Sequence, residues 1–166
     1  MIKEYDGKKP EIPHSCFIAE SADVIGKVKM GKNTNVWYNC VLRGDENEIM
    51  IGENTNIQDG TVVHISKENR TEIGNYVTIG HKATIHACKI GNYSLMGMGA
   101  IILDGAEIGD YTLIGAGSLV PPNKKIPSGV LAYGNPIKVI RELTQEERNS
   151  LEKSAIDYVE YAKKHK

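Results

Sequence analysis

The chain of 166 residues is poor in the large aromatic side chains that fill most globular cores, with one Phe and one Trp. A core must therefore be packed with aliphatic side chains. Cysteine is also scarce, and Cys16, Cys40 and Cys88 are odd in number, widely spaced and without a C-x-x-C pair. This pattern argues against a disulfide framework and against a thiolate zinc site, so we expect three small buried residues.

The chain also lacks an excess of charge, with 20 basic and 21 acidic residues. This balance argues against nucleic acid or an anionic membrane as a partner. No stretch is apolar enough for a membrane span, and the first residues, MIKEYDGKKP, contain no signal-peptide core. By length we expect one compact unit, and by default a cytoplasmic location.

What the chain does have is an internal repeat in which aliphatic residues recur, in most steps, every six positions. This period fits neither an amphipathic helix nor a hairpin, but it suits a chain wound into coils, where each hexad forms one short strand and turns a corner. Three hexads make one coil, and one aliphatic side chain per hexad points inward. The predicted inward positions are Met30, Val36, Leu42, Ile51, Ile57, Val63, Ile73, Ile79, Ile85, Ile90, Met96, Ile102, Ile108, Ile114, Val120 and Ile126.

The period is interrupted twice, after Leu42 and after Val63. We expect the extra residues to form outward loops over 43–50 and 64–72. Glycines, and asparagines such as Asn75 and Asn92, follow many of the inward positions and tolerate the left-handed backbone that tight corners require.

The end of the chain has a helical pattern. Thr144 and Glu147 form a T-x-x-E capping box, and apolar residues follow at helical spacing from Leu151 onwards. We therefore predict a β-helix domain over residues 1–140 and a C-terminal helix over 141–166, which packs on the coils or on a neighbouring subunit.

Three histidines have informative places in the repeat. His64 directly follows Val63 and His86 directly follows Ile85, so the two occupy the same position in successive coils. Stacked strands lie about 4.8 Å apart, which lets two imidazoles converge on one metal ion at about 2.0–2.1 Å each. His81 belongs to the preceding hexad and therefore to another side of the coil. We expect a neighbouring chain to supply it, in a cyclic oligomer with the metal between subunits.

The chain resembles the gamma-class carbonic anhydrases and their bacterial relatives in the hexapeptide-repeat superfamily. The resemblance covers nearly all of the chain, and its motifs are RGDE at 43–46, NIQDG at 56–60, and His64, His81 and His86. It implies an all-β fold, a left-handed parallel β-helix of hexapeptide repeats with a C-terminal α-helix, assembled as a homotrimer.

The resemblance further implies reversible hydration of CO2 to bicarbonate by a metal-bound hydroxide at the trimer interface. Two histidines of one chain, His64 and His86, and His81 of the next would hold the ion. Three neutral imidazoles leave a position open for water and keep the ion a strong Lewis acid. Zn2+ is the default ion, and Fe2+ or Co2+ suits the same ligands.

Other residues match the family's site one by one. Gln58 matches the residue that orients the hydroxide or the substrate, and Glu46 matches a carboxylate proposed to pass the proton. Arg43 and Asp59 match an ion pair across the subunit boundary.

Two further pairs complete the match to the family. Asp45 and Asn56 are expected to hold the network in place. Tyr133 and Asn135 match a late Tyr-x-Asn pair that lines the site.

One departure from the family pattern keeps a non-catalytic alternative open. The archaeal prototype has a long acidic loop after its first histidine, whereas loop 64–72 is short and Glu68 is the only substitute for its proton-shuttling glutamate. The chain could instead be a non-catalytic metal-binding assembly subunit. A hexapeptide acyltransferase or acyl-CoA thioesterase, with one histidine as general base, is the other alternative.

Overall fold

The computed structural model describes residues 1–165, which form a parallel β-helix of about seven coils and one C-terminal helix. The last residue of the chain, Lys166, belongs to the predicted helical segment 141–166 and lies outside the described residues. Within the described part, no helix is long and apolar enough to cross a membrane. The elements are β1 (Ile2–Lys3), β2 (Phe17–Ile18), β3 (Asp23–Met30), β4 (Asn35–Val36), β5 (Val41–Ile51), β6 (Asn56–Ile57), β7 (Val62–His64), β8 (Thr71–Ile73), β9 (Thr78–Ile79), β10 (Thr84–His86), β11 (Lys89–Ile90), β12 (Leu95–Met96), β13 (Ile101–Ile102), β14 (Glu107–Ile108), β15 (Leu113–Ile114), β16 (Leu119–Val120), β17 (Lys125–Ile126), β18 (Val130–Gly134), β19 (Ile137–Glu142) and α1 (Gln145–His165).

The core is a narrow column of aliphatic side chains along the axis of the coils. All sixteen predicted inward residues are buried, none more than 5% exposed, which confirms the hexad assignment. Within the coils, the strands from β2 to β18 pair in parallel with the equivalent strand of the next coil, so equivalent side chains stack, as Ile85 does on Val63 and Ile102. In the first coil Val24 is the inward residue, fully buried and in register with Leu42.

The coils present three sides with different outward side chains. The helix-covered side (β2, β4, β6, β9, β12, β15, β18) contacts α1 over its first four strands. The charged side (the end of β5, then β8, β11, β14, β17) carries a ladder of alternating sign, Glu72, Lys89, Glu107 and Lys125. The apolar side (the start of β5, then β7, β10, β13, β16) carries mainly aliphatic residues.

The prediction of an outward loop over residues 43–50 is wrong. These residues belong to β5, which pairs with β3 before and after a shift of register between Gly26 and Val28. Gly26 has φ +74, and a Cβ there would lie 2.3 Å from the carbonyl oxygen of Gly44. The extra residues are therefore absorbed by a bulge against a long strand. The second insertion does form a loop, between the end of β7 and the start of β8.

At some corners the residue with the left-handed backbone is not the asparagine that the sequence predicts. At two corners the left-handed residue is the tyrosine that follows the asparagine, Tyr76 after Asn75 and Tyr93 after Asn92. The asparagines instead bond the backbone, since Asn92 Oδ1 accepts from the Asn75 amide at 2.9 Å. Tyr76 and Tyr93 stack at 5.0 Å between ring centroids, a contact worth about 0.5–1.5 kcal/mol that offsets part of the backbone strain.

The C-terminal helix begins at its capping box. Glu147 N donates to Thr144 Oγ1 at 3.2 Å, and Thr144 N donates to Glu147 Oε2 at 2.9 Å. Of the apolar residues at helical spacing, Leu151, Ala155 and Ala162 are buried. The domain boundary at 140/141 falls inside β19, which pairs antiparallel with β18, and the division into two domains stays a prediction.

Candidate metal centre

His64 and His86 form the centre of the candidate site. They end β7 and β10, and they are direct register partners, which confirms the predicted stacking. His64 Nδ1 lies 3.2 Å from His86 Nε2. Thr71 Oγ1 donates to the carbonyl oxygen of His64 at 2.5 Å, so the loop after β7 is tied to the strand that carries the first imidazole.

Asp45 occupies the far side of His64. Its Oδ1 lies 3.1 Å from His64 Nε2, and its Oδ2 forms an ion pair with Arg43. Burial acts to raise the pKa of Asp45, but hydrogen bonds from His64 and from the amides of Asp45 and Glu46, together with the charge of Arg43, lower the pKa below its ordinary value. Asp45 is therefore an ionised acceptor for His64.

Asp104 occupies the equivalent place beside His86, and the sequence reasoning missed it. Its Oδ1 lies 2.6 Å from His86 Nδ1. Asp104 stands two positions after the inward Ile102, one coil above Ile85. The column argument compared residues at the same position of successive coils, whereas Asp104 is two positions after an inward residue and His86 is one. A search that also compared diagonal neighbours in the next coil would have found Asp104.

His81 lies at a different corner of the coil. His81 and Asp59 each stand two positions after an inward isoleucine in successive coils, and His81 Nδ1 is 2.8 Å from Asp59 Oδ2. The stretch from His81 to His86 passes a left-handed corner at Lys82 and then follows β10, so the two Cα atoms lie at most about 16 Å apart. Within residues 1–165 of one chain, no three His, Cys, Asp or Glu side chains meet in a group that could hold a metal ion.

Gln58 and Asn56 adjoin the corner of His81. Gln58 is buried, and its Nε2 donates to Asn56 Oδ1 at 3.0 Å. Asn56 Nδ2 in turn donates to Thr78 Oγ1 at 2.9 Å, which contacts Ser154 of α1. The helix therefore holds the amide network in place, a link that the sequence motif alone does not reveal.

The remaining predicted residues are more dispersed. Glu46 is exposed beside Asp45. Tyr133 is an exposed residue of β18, and Asn135 lies in the exposed turn between β18 and β19. Strand β18 is three strands along the sheet from β9, so within one chain these two residues are separated from His81 by about 14 Å along the axis.

The paired imidazoles fit a divalent cation. Two nitrogens that bind one tetrahedral ion at about 2.0–2.1 Å each lie about 3.3 Å from each other. The 3.2 Å between His64 Nδ1 and His86 Nε2 matches that spacing, and each ring has a carboxylate on its other nitrogen. Ligand histidines usually have such an outer partner, and His81 has one as well in Asp59.

Two of the cysteines have thiols that are hard to ionise. Burial raises the pKa of Cys40 to about 11 and that of Cys88 to about 12. Both thiols stay protonated near neutral pH, so neither is a thiolate nucleophile. This agrees with the expectation of small buried residues.

Comparisons with known proteins place the chain in a family. Residues 87–122 match the model for the bacterial transferase hexapeptide (six repeats). A protein of Arabidopsis thaliana named gamma carbonic anhydrase 2, mitochondrial, is 46% identical over 95% of the chain, which spans only 59% of that relative. The carbonic anhydrase of Geobacillus kaustophilus is 46% identical over 96% of the chain and 88% of its own length.

A solved structure agrees with these relatives. The crystal structure of a hexapeptide transferase family protein from Anaplasma phagocytophilum superimposes with a TM-score of 0.96 at 43% identity, covering 99% of this chain and 98% of that one. Together with the hexad core and the three imidazole–carboxylate pairs, these similarities identify the chain as a member of the gamma-class carbonic anhydrase family.

Proposed function

We propose that this protein catalyses the reversible hydration of CO2 to bicarbonate at a divalent metal ion between two subunits of a homotrimer. One subunit supplies His64 and His86, and the next supplies His81. The observation that carries the proposal is the 3.2 Å spacing of the facing nitrogens of His64 and His86, each ring having a carboxylate on its far side. Within residues 1–165 one chain brings only these two histidines together, which supports a third histidine from a neighbouring subunit.

The charge around the paired histidines suits a cation. Asp45 and Asp104 contribute two carboxylates, and Arg43 supplies a single guanidinium, so the cluster has an excess of negative charge when the imidazoles are neutral. Asp59 adds another carboxylate at the corner of His81. A divalent cation would balance these charges and, with water in its open position, would make hydroxide available near neutral pH.

The apolar side is the surface that suits a subunit interface. Its strands begin just after the corner of His81 and end at His64 and His86. Val62 and Ile101 point outward there, 41% and 39% exposed, and Met98, one coil above His81, is 61% exposed. Exposed aliphatic residues in one column favour contact with another subunit, whereas the charged side is suited to water.

The chain's own residues have separate tasks in this proposal. Asn56 holds the amide of Gln58, so that Gln58 can orient the attacking oxygen or the CO2. Glu46 is exposed beside Asp45 and can carry the product proton to solvent. Arg43 and Asp59 would pair across the boundary between subunits.

The decisive experiment is the metal content of the assembled protein together with its CO2 hydration rate after loading with Zn2+, Fe2+ or Co2+. Substitution of His64, His81 or His86 by Ala should remove the bound metal and the activity. The exposed His14 offers a matched control, since His14→Ala should change neither. Zinc that stays bound at full stoichiometry in an isolated monomer would contradict the shared site.

The same experiment separates the alternatives. Metal binding without CO2 hydration under any of the three ions would favour a non-catalytic assembly subunit. A metal-free protein that hydrolyses or transfers acyl groups of acyl-CoA would favour the hexapeptide acyltransferase or thioesterase. The cytoplasmic location stays a prediction, and the plant relative is named a mitochondrial protein.

A further inference from the structure

We propose that Asp104 is a positioning residue, which fixes the tautomer and orientation of His86 so that Nε2 of that ring faces the site. The inference rests on the proposed function for its consequence, metal binding. The hydrogen bond on which it is built is a property of the chain itself. Neither the family motifs nor the column pattern of the sequence includes Asp104.

The first step is the assignment of protons. A carboxylate can only accept, so the 2.6 Å contact requires His86 Nδ1 to be the donor to Asp104 Oδ1. A neutral ring that carries its proton on Nδ1 has its lone pair on Nε2. That is the atom 3.2 Å from His64 Nδ1.

The second step concerns the other ring. Asp45 Oδ1 accepts from His64 Nε2, which leaves the lone pair of His64 on Nδ1. Two lone pairs then face each other across 3.2 Å, an arrangement that is repulsive unless a positive charge lies between them. Asp45 and Asp104 therefore act as a pair, and together they orient both acceptor nitrogens towards one point.

The third step is the rigidity of the corner that carries Asp104. Gly105 N donates to the carbonyl oxygen of Ala87 at 2.8 Å, and Asn123 N donates to the carbonyl oxygen of Asp104 at 2.8 Å. The corner is thus fixed to the coil below, next to His86, and to the coil above. Gly105 has φ +69, and a Cβ there would lie 2.3 Å from Asn123 Oδ1. A carboxylate held in this way can select one ring orientation.

The test uses the full chain and three variants, Asp104→Ala, Asp104→Asn and the control Glu107→Gln from the charged side. Imidazole nitrogen shifts are measured on the metal-free, 15N-histidine-labelled protein at pH 8, above the ordinary histidine pKa of about 6.5. Zinc affinity of the assembled protein is measured separately by competition with a chelator.

In the wild type and in Glu107→Gln, His86 should carry its proton on Nδ1. Asp104→Ala should lose this preference and should bind zinc about 10–100-fold more weakly. Asp104→Asn, whose amide oxygen can still accept, should keep the tautomer and lose less affinity. A purely structural role would lower the unfolding temperature without moving the tautomer.

The outcomes separate this inference from the proposed function. A wild-type protein that binds no zinc but shows the tautomer change in Asp104→Ala supports Asp104 and refutes the metal site. An Asp104→Ala variant that keeps both the Nδ1-protonated ring and the wild-type zinc affinity overturns the inference and leaves the metal site standing.

Discussion

His81 and His86 lie five positions apart, one at the corner before β10 and the other at the end of that strand. An extended chain separates the Cα atoms of such positions by up to about 16 Å, and within residues 1–165 of one chain no three possible metal ligands meet at either ring. The two proposed ligands therefore stand at opposite ends of the apolar side. A ring of subunits packed through that side can unite what a single chain keeps apart.

The apolar side should control assembly and metal binding together. Val62→Lys places a charge on a partly exposed aliphatic position of that side, and we expect the protein to dissociate to monomers and lose its metal. Analytical ultracentrifugation with metal analysis measures both. The matched control is Glu107→Lys on the charged side, which should stay assembled. Monomers of Val62→Lys that retain the full metal content would show that metal binding does not depend on assembly.

The helix cap should contribute measurably to the stability of α1. Thr144→Ala removes the oxygen that accepts from Glu147 N, and we expect a loss of about 1 kcal/mol in the free energy of unfolding. Hydrogen exchange at the Glu147 amide and urea unfolding provide the measurement. Gln145→Ala, at an exposed neighbouring position, should change stability by less than about 0.5 kcal/mol.

The acid side of the stability profile should depend on Glu147. The Arg141 guanidinium and the Thr144 amide lower the pKa of Glu147 from 4.5 to about 2. A carboxyl group whose pKa is lower in the folded state stabilises the fold above pH 4.5 and loses that contribution as the pH falls through 2. The unfolding temperature of Glu147→Gln should lie below that of the wild type at pH 6, and the difference should shrink between pH 4.5 and pH 2.

Effects of acid on the histidines occur in the wild type and in Glu147→Gln alike, so they cancel when the two unfolding temperatures are compared. A difference in unfolding temperature that stays constant from pH 6 to pH 2 would show that the charge of Glu147 does not stabilise the helix. A difference that grows on acidification would mean that the sign of the pKa shift is wrong.

Much of the fold follows from the hexad repeat, because an inward aliphatic residue at every sixth position leaves little choice of side. The stacking of His64 and His86 follows from the same periodicity. The bulged strand over 43–50 does not follow from the repeat, because an inserted segment can either leave the coil as a loop or lengthen a strand. Which of the two occurs depends on the pairing of Gly26 with Gly44.

Asp104 was not predictable from the column pattern for a related reason. Its contact with His86 crosses from one coil to the next on a diagonal, and the corner that aims it is set by backbone bonds to Ala87 and Asn123. A comparison restricted to the same position in each coil does not include a diagonal contact of this kind.

The most direct test of the shared site mixes two variants, His81→Ala and His64→Ala, neither of which should bind metal alone. In a ring of three, each mixed assembly contains one junction where intact His64 and His86 face an intact His81. Random mixing should therefore restore about a quarter of the wild-type metal content and CO2 hydration rate. If the mixed rings form but stay without metal, the ligands do not come from adjoining subunits and the account is contradicted.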